Sequence, residues 1–112
     1  MSGARQVVGI LFGGRSGEHP ISIRSSRFVL ESLDGERFQP VLIGIDRAGG
    51  WHLVDEQAYW AIDTEVPATA GRAVVPVPAG GRLGLLDPGR PGEGLPQLDL
   101  VFPVLHGPYG ED

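Results

Sequence analysis

The stretch Val7-Val8-Gly9-Ile10-Leu11-Phe12-Gly13-Gly14-Arg15-Ser16-Gly17-Glu18-His19-Pro20 decides the fold. Its first six residues are continuously apolar and β-branched-rich, the pattern of a strand buried on both faces of a parallel sheet. The run is far too short for a membrane span or a signal-peptide core. Gly13 to His19 make a polar, glycine-bearing loop. Pro20 suits the first position of a helix, where a missing N–H costs nothing and φ is already helical. Beyond it Ile21, Phe28, Val29 and Leu33, with the small Ser25, recur at helical intervals and predict one core-facing stripe. Arg24, Arg27 and Glu31 fall mainly on the other side. Gly35 is a natural stop.

Working outward, Phe38 to Ile45 reads as a second strand, so strand, helix and strand form one βαβ unit. Asp46 to Gly50 is a turn, and Trp51 to Val54 a short strand returning from it. Asp55 is placed to cap a helical turn or two ending at Ile62. Ala73 to Val77 and Arg82 to Leu86 are short strands that their prolines confine to an edge or to irregular structure. Asp87 to Pro96 is a polar loop. Leu98 to Leu105 reads as a last buried strand, leading into His106-Gly107-Pro108-Tyr109-Gly110-Glu111-Asp112. A strand of this kind normally needs a following helix to cover it, so the sequence reads as part of something longer. The expected architecture is one α/β domain over residues 1–112. Its sheet is Rossmann-like, open and mostly parallel, flanked by helices and incomplete at the carboxyl end.

The 112 residues suffice for one core. A formal net charge of −5 without a basic tract argues against nucleic acid as a partner. The absence of cysteine excludes disulfides, thiolate catalysis and Cys-ligated zinc. Three histidines far apart in the chain give no metal signature. His19 reads as an exposed loop residue or helix cap, and His52 as a surface hairpin position. Trp51, Tyr59 and Trp60 read as packing residues. A soluble, cytoplasmic protein is expected.

Two loops stand out, Gly13–His19 and His106–Asp112. Both follow the carboxyl end of an expected parallel strand, where open α/β sheets bind ligands, and they face one another if their strands are neighbours. The first runs into a helix N-terminus, whose free N–H groups favour an anion. Glu18 adds a carboxylate there, so the combination suits a zwitterion such as an amino acid. The alternative is a tight turn with Glu18 merely favouring the helix start. The loop is neither a Walker A motif nor a dinucleotide fingerprint. His106 either orients a carboxylate or is a strand-end histidine satisfied by backbone. Glu111 and Asp112 are open to several roles.

At these loops the chain resembles a known family. Val8-Gly9-Ile10-Leu11-Phe12-Gly13-Gly14-Arg15-Ser16-Gly17-Glu18-His19, running on to Ile21-Ser22, resembles the opening motif of D-alanine–D-alanine ligases. Val101-Phe102-Pro103-Val104-Leu105-His106-Gly107-Pro108-Tyr109-Gly110-Glu111-Asp112 resembles their second motif. The order matches, and so does the connecting Pro40-Val41-Leu42-Ile43-Gly44-Ile45 strand. One departure is Pro20, where the family often has an acidic residue.

The resemblance implies an ATP-grasp ligase that joins two D-alanines for peptidoglycan, with ATP and Mg2+ as cofactors. ATP phosphorylates the first carboxylate and the second amine attacks the acyl phosphate. By motif position Glu18 takes the ammonium of the first D-alanine, Ile21 packs near it, His106 lies near its carboxylate and Gly107 lends backbone. The groups for ATP and magnesium fall beyond Asp112 in such proteins, so this stretch alone is expected to be inactive. The family further implies a homodimer through this domain. A non-catalytic binding or dimerisation module is the alternative. Which acceptor the enzyme would choose is not written in these motifs.

Overall fold

The computed structural model describes residues 5–15, 17 and 19–104. Among them stand β1 (Gln6–Gly13), α1 (His19–Ser32), β2 (Phe38–Ile45), β3 (Trp51–Val54), α2 (Glu56–Ala61), β4 (Arg72–Ala79), β5 (Arg82–Leu86) and β6 (Leu100–Val104). The strands form a six-stranded sheet in the order β5-β4-β3-β2-β1-β6. β1 is parallel to both neighbours, with Gly13 opposite Ile45 on one side and Phe12 opposite Val104 on the other.

The fold is α/β as expected, but the sheet is not mostly parallel. Of its five strand pairings, the three beyond β2 are antiparallel. The cause is loop length, since a parallel return needs a crossover of a dozen or more residues. Asp46–Gly50 is a tight turn, and Gly80-Gly81 joins β4 to β5 with φ of +58° and +87°. Such positive angles suit the two-residue hairpin turn.

β1 is buried on both faces, as its apolar run predicts. Val8, Ile10 and Phe12 pack with Ile23 of α1, with Tyr59 of α2, and with Ile62 and Val66. Leu11 faces the other way, with Val41, Ile43, Ile45, Val74, Leu85 and Leu98. That second face is covered by the β4–β5 hairpin rather than by helices. Leu83 and Leu98 exchange backbone hydrogen bonds of 3.0 and 2.7 Å, so the far strand meets the segment leading into β6. Arg82 reaches Asp99 at 2.8 Å across the same seam. The prolines of β4 fit their place. β3 pairs only with Arg72–Val74, so Pro76 and Pro78 lie where β4 has β5 as its single neighbour.

Two readings of buried surface need correction. α1 buries His19, Ser22, Ile23 and Ser26, with Val29, Leu30 and Leu33 partly covered. Ile21 and Phe28, expected on the core stripe, are 44% and 69% exposed. The buried face is rotated because small serines let the helix lie close, Ser22 hydrogen-bonding to the sheet and Ser26 to Tyr59 of α2. β6 is not the expected buried strand, because it forms an edge and Leu100, Val101 and Phe102 stay exposed. No described helix is long and apolar enough to cross a membrane.

Candidate functional site at the strand carboxyl ends

β1, β2 and β6 run in one direction, so their carboxyl ends lie together. The backbone at this end is fixed group by group. Gly13 and Gly14 have φ of +95° and +99°, a region that side chains beyond glycine rarely adopt. The Gly14 N–H donates to the Ile45 carbonyl at 2.8 Å. The Gly13 N–H donates to Ser22 Oγ at 2.9 Å, and that hydroxyl in turn donates to the Val104 carbonyl. His19 Nε2 accepts the Val66 N–H at 3.0 Å, so the ring proton sits on Nδ1 and is donated to the Gly14 carbonyl at 2.5 Å. His19 is therefore not an exposed loop residue. It is a fully buried first residue of α1, satisfied on both nitrogens. Pro20 follows it inside the first turn.

Ile62 to Ala70 form a strap across this end of the sheet. Arg27 donates to the Ile62 carbonyl, and its guanidinium lies 5.9 and 5.3 Å from the Tyr59 and Trp60 ring centroids. Val66 lies close against Gly13 and Gly44. Farther along, His52 Nδ1 lies 3.0 Å from the Ala70 carbonyl and its Nε2 lies 2.7 Å from Asp46 Oδ2. Both nitrogens face acceptors, so the ring is held between the strap and the Asp46 carboxylate. His52, expected at the surface, is buried. The strap folds over it, which no local pattern in β3 announces. Burial works to raise the Asp46 carboxyl, but the hydrogen bonds from His52, Gly50 and Ala48, with the charge of His52, outweigh it. The group is held below the ordinary carboxylate range.

Of the residues the sequence singles out, Ile21 projects from the first turn of α1 and stays partly exposed. Glu18, His106 and Gly107 lie outside the described residues, as do Glu111 and Asp112. The two loops do leave neighbouring strands, because β6 lies beside β1 and Val104 sits opposite Phe12. Sequence reasoning missed Ser22. Its signal was a small hydroxyl one helical turn from His19, opposite a glycine turn. Among the described residues no group of three His, Cys, Asp or Glu could hold a metal ion. A cleft of about 640 Å³ lies elsewhere, lined by residues including Gln39, Pro40, Asp55, Glu56 and Arg72.

Comparison with known proteins agrees with this geometry. The family model described as the D-Ala D-Ala ligase N-terminus matches residues 7–112. D-alanine–D-alanine ligase A of Escherichia coli (strain K12) is 37% identical over 94% of this chain and 30% of its own length. The D-alanine–D-alanine ligase of Mycobacterium sp. (strain KMS) is 45% identical over 96% of this chain and 31% of its own. Among solved structures, the D-alanine-D-alanine ligase from Coxiella burnetii has 32% identity and a TM-score of 0.69, covering 96% of this chain and 31% of that one. VanG D-Ala:D-Ser ligase from Enterococcus faecalis has 26% identity and a TM-score of 0.70, over 93% of this chain and 30% of that one. The chain thus spans about 30% of the length of the curated relatives it matches. Matched along almost its whole length, it belongs to the family of D-alanine–D-alanine ligase N-terminal domains.

Proposed function

We propose that this chain is the first-substrate part of a cytoplasmic, ATP-dependent ligase that joins two D-alanines through an acyl phosphate for peptidoglycan synthesis. The observation that carries this reading is the parallel pairing of β1 with β6, Phe12 opposite Val104. It brings the carboxyl ends of the strands bearing the two family motifs side by side, at the end of the sheet where α/β folds bind ligands. In this reading Glu18 pairs with the ammonium of the first D-alanine and Ile21 covers its methyl group. His106 orients its carboxylate, and Gly107 lets backbone approach. The partial exposure of Ile21 supports its role, since a core residue would have no face to offer.

ATP and Mg2+ are the cofactors the family implies. The described residues include no phosphate-cradling motif and no cluster fit for a metal, so no step of the transfer is derived from them. A homodimer through this domain is also proposed. The exposed Phe28 and Phe102, which line one shallow cleft with Val29 and Leu33, support it.

The test uses the full reading frame that carries this sequence. D-alanine and ATP should release phosphate. Glu18→Gln and His106→Ala should each raise the KM for D-alanine or lower kcat, by roughly tenfold or more. Phosphate release that ignores D-alanine, or variants indistinguishable from the parent, would leave the motifs as turns and favour a binding module.

A further inference from the structure

Phe12 and Val104 are the last pair of β1 with β6 among the described residues, and at that end one side-chain atom joins the two strands. Ser22 Oγ accepts the Gly13 N–H and donates to the Val104 carbonyl. Gly13 opens the loop that carries Glu18, and Val104 stands two positions before His106. We propose that Ser22 is a positioning residue for the first D-alanine, its hydroxyl setting the spacing between the two motifs. The proposal rests on the ligase reading above and extends it to a residue that does not touch substrate.

Three features support the assignment. Ser22 is fully buried, so water has no access to replace the bridge. A hydroxyl supplies one donor and further acceptor capacity on the same atom, which the bridge requires and an apolar side chain lacks. The atom also stands on a fixed base. α1 is pinned to the sheet by Ile23 and to the same glycine turn by His19, whose Nδ1 holds the Gly14 carbonyl. A shift of about 1 Å between groups that grip one small molecule costs up to a hundredfold in rate.

Ser26 provides an internal control. It is equally buried on the same helix, and its hydroxyl lies 2.6 Å from both the Ile23 carbonyl and the Tyr59 hydroxyl. It touches neither strand end. In the full reading frame, steady-state phosphate release and thermal unfolding should be measured for Ser22→Ala, Ser22→Thr and Ser26→Ala. Ser22→Ala should raise the KM for D-alanine tenfold or more. Ser22→Thr, which keeps the hydroxyl, should recover much of that loss. Ser26→Ala should lower the melting temperature and leave the KM within about twofold of the parent. Should Ser22→Ala not fold, Ser22→Cys keeps the size with a weak donor and should show the same rise. A parent enzyme that turns over D-alanine, with Ser22 variants matching Ser26→Ala in KM, overturns the proposal and leaves the ligase reading intact. A parent that shows no D-alanine-dependent turnover overturns both.

Discussion

At the residue scale, Gly13 is tightly constrained. A Cβ on it would lie 2.3 Å from the Ile45 carbonyl oxygen, and its φ of +95° is unfavourable for any side chain. Gly13→Ala should therefore cost at least about 3 kcal/mol of stability, the sum of backbone strain and a clash with immovable backbone. A shift of the denaturant midpoint would measure it. Asp46 makes a second prediction, in pH. Its carboxyl is lower in the folded chain than in the unfolded one. Its contribution is thus fully present above the ordinary carboxyl value near pH 4 and is lost as the pH falls through its folded value. Asp46→Asn should flatten that acid limb. At neutral pH it should cost about 1.5–3 kcal/mol, because it takes the charge from the acceptor of the buried hydrogen bond to His52. Urea unfolding between pH 3 and 7 tests both parts. The glycine turn was legible in the sequence, since adjacent glycines after a strand admit few other uses. The burial of His19 and His52 was not. Each depends on the strap at Val66 or Ala70, distant in sequence and invisible to local pattern.

Elements were legible in proportion to how local their causes are. Asp55 caps α2 as its position suggests, accepting the Ala58 N–H at 2.7 Å. Asp55→Ala should cost about 1 kcal/mol, seen as a small drop in unfolding temperature with α2 fraying first in hydrogen exchange. β2 and β3 begin and end where turn residues place them. The face of α1 was misread for a physical reason. Spacing of large apolar side chains tracks burial only when burial is apolar, and this helix buries two serines that hydrogen-bond to the sheet and to Tyr59. Phe28 and Ile21 followed the period and faced outward.

Over the whole molecule, the sheet closes on itself through the backbone pair of Leu83 and Leu98. Leu98 also fills the space above Gly9, where an added Cβ would meet its methyl carbon at 2.6 Å. Leu98→Ala should open a cavity between the hairpin and β1 and cost about 2–5 kcal/mol, measurable by chemical denaturation. The pairing of β1 with β2 followed from apolar runs and a βαβ spacing, whereas the place of β6 beside β1 came from the structure. Of the antiparallel wing, the return of β3 was read from its turn, but the directions of β4 and β5 were not, because they depend on tight turns among Gly/Pro-rich segments with many possible paths. The position of β1 also has a consequence for synthesis. It leaves the ribosome before both partners, finds β2 after a few tens of residues, and acquires β6 last, its Val7 N–H meeting Asp99 across 92 positions. At roughly 5–20 residues per second, this strand, buried from Val8 to Gly13 in the fold, spends several seconds of translation with one edge open. A nascent-chain chaperone, or a wrong strand, has that interval in which to reach it.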